Sequence, residues 1–267
     1  MSNPDLVGAI YRLLTRRPSG ILSDIDGTLS HIVEDPATAS VDTEIKEAFR
    51  CIADYANVVG FVSGRAARDA ERMIGLEDVV YLGNHGMERV EGGRLVVAPE
   101  ALESVAAIAD ALDAVRRQID EPSLVIENKG VTGSIHYRGA ERPDETRDRI
   151  LQTLEPIARA SNLRLTQGRM VIELRPPVSL NKGTALRQIV EEKRLRSIIF
   201  LGDDVTDFDA MRALAALRQA GTVDGLSVGV VDTESPVEIA NFADVLVDGV
   251  EGVSAVLQQV CAILRGE

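Results

Sequence analysis

Gly20-Ile21-Leu22-Ser23-Asp24-Ile25-Asp26-Gly27-Thr28-Leu29 is a short apolar run leading into two acids, a glycine and a threonine. Ile21 and Leu22 suit a central strand, Gly27 permits a sharp turn out of it, and Asp24 and Asp26 flank an inward-facing Ile25. Two carboxylates on one rim repel unless a cation lies between them or their pKa values are pushed apart. Such a pair marks a metal site, an acid–base pair or both. A calcium loop would need glycine at its sixth position and glutamate at its twelfth; counted from Asp24 these are Leu29 and Asp35, and that reading fails. A plain strand end with solvated acids is the alternative at this point.

Working outward, three more apolar runs end in small or acidic residues. Residues 58–62 end at Ser63-Gly64-Arg65, 79–82 at Gly83-Asn84-His85-Gly86, and 198–201 at Gly202-Asp203-Asp204-Val205-Thr206-Asp207. Helical patterns separate them. Leu6, Ile10, Leu13 and Leu14 share one face of a first helix, Asp42 stands at the cap of a helix that buries Ile45, Phe49 and Ile52, and another covers 66–74. Asn181-Lys182-Gly183-Thr184 opens a helix through Ile189; its Lys-Gly-Thr order is not that of a nucleotide-binding P-loop. A lysine in the first helical turn opposes the helix dipole, so Lys182 has another reason to be there. Residues 226–231 and 245–247 read as further strands, 253–264 as the closing helix, and 30–40, with Pro36 and a solvated His31, as a loop over the strand end.

Strands alternating with helices predict a doubly wound, mainly parallel, Rossmann-like α/β core. Right-handed crossovers then place the C-terminal ends of its strands on one edge. That single topological assumption gathers Asp24, Asp26, Ser63, Asp203 and Asp207 into one site. An oxygen-rich cluster without histidine or cysteine suits Mg²⁺, which prefers carboxylates, water and phosphate oxygens. Lys182 would offset the negative charge, and Ser63 would donate to a phosphoryl oxygen.

Between residues 99 and 176 the pattern changes to helix, strand, strand, twice over: helices at 99–119 and 143–160, strands at 124–127, 134–137, 163–166 and 170–174. The expectation is two domains. Residues 1–98 and 177–267 form the core, and 99–176 form an inserted α/β cap with an antiparallel sheet. Pro99 and Pro176-Pro177 mark the crossings and act as hinges by which the cap closes over substrate.

The 267 residues carry a formal net charge of −13, which argues against nucleic-acid and membrane-surface partners and requires that an anionic substrate meet a local positive site. No apolar run is long enough to span a bilayer, and Met1-Ser2-Asn3-Pro4-Asp5 lacks the basic start of a secretory leader. Cys51 and Cys261 have no metal-type spacing and fall in helical patterns, where they read as buried thiols. A cytoplasmic monomer is expected.

In combination, Asp24-Ile25-Asp26-Gly27-Thr28, Ser63, Lys182 and Gly202-Asp203-Asp204-Val205-Thr206-Asp207 resemble the four motifs of the haloacid dehalogenase superfamily of phosphohydrolases, and 99–176 resembles that superfamily's inserted cap. More narrowly, nearly the whole chain is similar to the trehalose-6-phosphate phosphatase family. The similarity lies in Gly83-Asn84-His85-Gly86, Glu127-Asn128-Lys129-Gly130, His136-Tyr137-Arg138, and Glu173-Leu174-Arg175-Pro176 leading to Asn181-Lys182-Gly183; Arg169 stands where many members have lysine.

The resemblance implies an Asp24 nucleophile that forms an aspartyl-phosphate, and an Asp26 acid and base. Mg²⁺ would sit on Asp24, the Asp26 carbonyl, Asp203 and Asp207, with the phosphate held by Thr28, Ser63 and Lys182. Contacts to the sugar phosphate would come from Arg65, Asn84, His85, Glu127, Lys129 and Glu173. Another sugar phosphate, such as sucrose 6-phosphate or mannosyl-3-phosphoglycerate, is the rival substrate. A non-catalytic sugar-phosphate-binding domain is the remote alternative, and any trehalose-6-phosphate synthase is expected to be a separate protein.

Overall fold

The computed structural model describes residues 4–33, 35–168, 170–233 and 235–267; Met1-Ser2-Asn3 and the departure at Arg169 lie outside the described residues. In chain order, α1 (Pro4–Thr15) precedes β1 (Ser19–Ser23), then come α2 (Thr43–Ala53), β2 (Val58–Val62), α3 (Ala67–Ile74), β3 (Val80–Gly83), β4 (Glu88–Glu91) and β5 (Arg94–Val97). The middle segment holds α4 (Pro99–Leu102), α5 (Val105–Gln118), β6 (Val125–Asn128), β7 (Gly133–His136), α6 (Pro143–Ala160), β8 (Arg164–Gly168) and β9 (Val171–Arg175). The chain continues through α7 (Lys182–Glu192), β10 (Ser197–Gly202), α8 (Phe208–Gln219), β11 (Asp224–Val231), β12 (Val245–Asp248) and α9 (Gly249–Arg265).

Two compact units result, one made of the segments up to Val33, Ala37–Leu95 and Leu180–Glu267, the other mainly of Val96–Ser179. In the first, the strand order is β12-β11-β10-β1-β2-β3-β4-β5, parallel from β12 to β3 and antiparallel at β4. Progress from β1 to β3 in one direction places α2 and α3 on one face. Progress from β10 to β11 in the other direction places α8 on the opposite face, as right-handed crossovers require. Alternate strand residues serve the two layers: Ile21, Phe61 and Ile199 pack with α1, α2, α3 and α9, whereas Leu22, Val62 and Phe200 pack with α7 and α8.

The switch in direction falls between β1 and its parallel neighbour β10, where Ser23 pairs with Leu201. In open α/β sheets, ligands bind outside the strand ends at such a point.

Several details depart from the sequence reading. Asp42 occupies the cap position of α2 without a side-chain hydrogen bond. The helix expected over 99–119 is two helices broken at Glu103-Ser104. Strands β4 and β5 were not anticipated; they turn back at Gly92-Gly93 and extend the sheet. Most consequentially, Cys51 and Cys261 are joined in a disulfide rather than lying as separate thiols. Helices α2 and α9 pack side by side, so residues 210 apart in sequence meet. The cysteines as buried thiols therefore no longer support the cytoplasmic expectation. Among the described residues, no helix is long and apolar enough to cross a membrane.

The second unit is a sheet of order β6-β7-β9-β8, antiparallel throughout. Ile135, Ile172 and Leu174 face the apolar core built with Ile108, Leu112, Ile150 and Leu154 of α5 and α6. By strand alternation, Glu127, Ser134, His136 and Glu173 share the other face.

Candidate active site

The site is assembled by sheet register. The amide of Asp24 bonds the Leu201 carbonyl, which carries the β1–β10 pairing one residue past β1 and sets Asp24 beside the start of the Asp203–Asp207 turn. The chain then reverses: the Ile25 carbonyl accepts from the amides of Leu29 at 2.8 Å and Ser30 at 3.0 Å. Gly27 makes the reversal possible. Its φ is +88°, and a Cβ at this position would lie 2.1 Å from Oδ2 of Asp203, so no side chain fits between the two acidic turns.

Asp24, Asp203 and Asp207 are buried, at 4%, 1% and 0% exposure, and each offers an oxygen within 4.8 Å of the others. Lys182 enters this group from the first turn of α7, which Asn181 caps by accepting from the Thr184 amide. The Lys182 ammonium lies 2.7 Å from Asp24 Oδ1 and 2.7 Å from Asp207 Oδ1. Asp207 is held on its other side, Oδ2 accepting from the amides of Asp203 and Asp204 at 3.1 Å each. These bonds explain a lysine at a helix start: its charge is stabilised by two carboxylates rather than by the helix.

Burial pushes the Asp24 carboxyl well above the usual carboxylate range; the Lys182 ammonium opposes this, and the carboxylates of Asp207 and Asp203 add to it. Burial alone would push the Lys182 ammonium down, but Asp207 and Asp24 together hold it above its ordinary value. Three buried carboxylates with one ammonium leave negative charge uncompensated, and the all-oxygen donor set fits a hard divalent cation. Asp207, rather than Asp204, supplies the third carboxylate. Thr28 is buried, and its hydroxyl donates to Asp203 Oδ1 at 2.8 Å.

Asp26 is partly exposed. Arg65 grips it bidentately, Nε to Oδ2 at 2.8 Å and Nη2 to Oδ1 at 2.6 Å. Ser63 is buried at the end of β2, and its hydroxyl oxygen accepts from the Arg65 amide at 3.1 Å. Asn84 and His85 are buried under this loop with φ of +48° and +58°. Their amides bond the carbonyls of Arg65 at 2.7 Å and Ser63 at 2.9 Å. The residue sequence reasoning missed is Glu88: a lone acid after a glycine turn reads as surface, yet it is buried and bonded to Asn84 and to the Ala67 amide.

The second unit gathers its own set. The Lys129 ammonium lies 3.7 Å from Glu127 and 3.8 Å from Glu173, and His136 Nε2 is 2.7 Å from Glu127 Oε2. His136 stood in a quoted motif but not among the expected site residues. Its place one alternation from Glu127 on the paired strand was the available signal.

A family model described as trehalose-phosphatase matches residues 22–245. A trehalose-phosphate phosphatase of Mycobacterium marinum is 31% identical over 262 residues, which is 90% of this chain and 64% of that protein. A Mycobacterium tuberculosis protein described as an uncharacterized glycosyl hydrolase is 35% identical over 77% of this chain and 16% of its own length. The chain thus spans less than two thirds of these relatives. In fold, it matches the C-terminal domain of C. albicans trehalose-6-phosphate phosphatase with a TM-score of 0.81 at 22% identity, covering 98% of each chain.

Proposed function

Since the chain belongs to the trehalose-phosphatase family, we propose that it is a Mg²⁺-dependent phosphoric monoester hydrolase that converts trehalose 6-phosphate to trehalose and phosphate through an aspartyl-phosphate. The observation that carries this reading is the buried Asp24–Lys182–Asp207 unit, with Asp203 beside it, at the switch point of the sheet.

Asp24 attacks phosphorus in line with the bond to the sugar oxygen, forming a bond from its carboxylate to phosphorus as that ester bond breaks. Asp26, protonated on an oxygen that gives up its Arg65 bond, delivers that proton to the departing oxygen. It then takes a proton from the water that attacks the aspartyl-phosphate, and the new bond from water oxygen to phosphorus returns Asp24 as a carboxylate. Lys182 orients Asp24 and, with Ser63, holds phosphoryl oxygens, while the Arg65 grip aims Asp26. Asp24, Asp203, Asp207 and the Asp26 carbonyl would hold Mg²⁺, which when bound neutralises phosphate charge as it builds.

Residues 1–98 and 177–267 serve as the hydrolase core, and 99–176 as the cap that selects the sugar. Glu127, Lys129 and Glu173 bind its hydroxyls, since charged groups make strong hydrogen bonds to neutral polyols.

The test is phosphate release from trehalose 6-phosphate, sucrose 6-phosphate, glucose 6-phosphate and an aryl phosphate, with Mg²⁺ and with chelator. Preference for trehalose 6-phosphate, lost on chelation, is the expected result. Equal turnover of all four esters would retain the chemistry and reject the substrate; no turnover of any would reject the enzyme.

A further inference from the structure

The loop from the end of β2 to the start of α3 carries Ser63 and Arg65, and it is fastened from beneath at alternate residues. The Ser63 carbonyl accepts from the His85 amide at 2.9 Å, the Arg65 carbonyl from the Asn84 amide at 2.7 Å, and the Ala67 amide donates to Glu88 Oε2 at 2.9 Å. Asn84 also bonds the Glu88 carboxylate through its side chain. Glu88 thus joins the underlying turn to the helix at the far end of the loop.

Holding the turn is costly. Asn84, His85 and Gly86 have consecutive φ values of +48°, +58° and +98°, and a left-handed run of this kind persists only where its surroundings enforce it. The packing leaves no alternative path: a Cβ on Gly83 would lie 2.1 Å from the Ala67 nitrogen, and one on Gly86 would lie 2.8 Å from the Ala185 Cβ in α7, the helix that opens with Lys182. Glu88 is itself only 8% exposed. Burial pushes its carboxyl up, and the hydrogen bonds from Ala67 and Asn84 counter that push. A buried acid bonded to two structural groups next to a strained turn is a device for fixing position.

We propose that Glu88 is a positioning residue for phosphoryl transfer: through Asn84 and the Ala67 amide it fixes the Ser63–Ala67 loop, and with it the Ser63 hydroxyl and the Arg65 guanidinium that grips Asp26. The inference rests on the phosphatase reading above for what the loop does, but not for how the loop is held. Because Glu88 acts on the phosphoryl end, its loss affects every phosphate ester alike, unlike the loss of a group that recognises the sugar.

The test compares wild type with Glu88→Ala, Glu88→Gln and Asn84→Gly, all assayed below their unfolding temperatures. Glu88→Ala should lower kcat/KM for trehalose 6-phosphate and for an aryl phosphate by the same factor, about tenfold to a hundredfold. It should also speed hydrogen–deuterium exchange in the peptides that cover 63–67 and 84–86. Glu88→Gln keeps an acceptor for the Ala67 amide and should recover most of the rate. Asn84→Gly keeps the left-handed backbone and removes the amide that reaches Glu88; it should reproduce the faster exchange and the aryl-phosphate loss, and it decides the matter where Glu88→Ala does not fold. Unchanged exchange and unchanged aryl-phosphate turnover in the folded variants would overturn the proposal, as would a loss confined to the sugar phosphate. Wild type that hydrolyses neither ester would end the phosphatase reading, and the exchange comparison would still decide whether Glu88 holds the loop.

Discussion

The two units arrange their charged residues in opposite ways. In the first, Asp24, Asp203, Asp207 and Lys182 are all buried, and at least one oxygen of each carboxylate is held at 2.7 to 3.1 Å by an ammonium, a hydroxyl or backbone amides. In the second, Glu127 and Glu173 lie on the sheet face away from α5 and α6, and Lys129, just past the end of β6, lies 3.7 and 3.8 Å from them. Buried charges must be mutually satisfied, so one change propagates through the whole cluster. Partly exposed groups on a strand face can change one at a time while the apolar core beneath them stays intact. The first arrangement suits a reaction that tolerates no misplacement, the second a selectivity that can be retuned.

The sharpest way to break this contrast is Asp24→Asn. It removes the nucleophile and should lower kcat on every ester by about 10⁴-fold or more, with little change in KM, measured as initial phosphate release. A variant that keeps half its rate would remove Asp24 from the chemistry and, with it, the distinction between a reacting centre and a selecting one.

Within the buried centre, Thr28 separates two roles. Its hydroxyl orients Asp203, so Thr28→Val should raise the Mg²⁺ concentration for half-maximal rate by about 10–100-fold. At saturating Mg²⁺ the KM for substrate should stay close to wild type. A raised KM at saturating metal would instead make Thr28 a phosphate contact.

The buried centre was also the more legible of the two in the sequence. Strand ends that carry acids can be found without contacts, because one topological rule sends every parallel strand end to the same edge. Lys182 stood out by violating helix electrostatics. What escaped notice had no periodic signal: β4 has four residues, β5 is an exposed edge, and the break at Glu103-Ser104 interrupts a pattern that is helical on both sides. Glu88 escaped because nothing local distinguishes a buried acid from a solvated one; its burial comes from the turn and helix that close over it. The expected cap residues were placed by resemblance alone; strand alternation from Glu127 offered His136, but alternation marks a face and not a role.

The partly buried set of the second unit sharpens the comparison from the other side. Glu127→Ala and Glu173→Ala should each raise KM for trehalose 6-phosphate by about 10–150-fold, the loss of a hydrogen bond to a charged group of roughly 1.5–3 kcal/mol. Turnover of an aryl phosphate should stay within about twofold, since the reacting centre is untouched. Equal losses on both esters would mean that these glutamates support the fold or the chemistry rather than the sugar.

The smallest expected effect on catalysis comes from the Cys51–Cys261 bridge, even though it belongs to the same unit as the buried centre. Cys51 lies in the last turns of α2, which runs back from the strand ends to the start of β2, and Cys261 in the last turns of α9, which follows β12 in the same way. The bridge therefore sits at the edge of the sheet opposite the carboxylates. It closes a long loop and restricts the unfolded chain, so Cys51→Ser with Cys261→Ser should cost about 2–4 kcal/mol of stability. That loss corresponds to a melting temperature lower by on the order of 5–15 °C, read by circular dichroism. kcat and KM at 25 °C should be unchanged, because the parallel strands between the two edges carry their own hydrogen bonds and apolar packing and do not depend on the bridge once folded. If kcat fell with the bridge, the two edges of the sheet would be mechanically linked, and the rigidity of the carboxylate centre would depend on α2 and α9 as well as on its own hydrogen bonds.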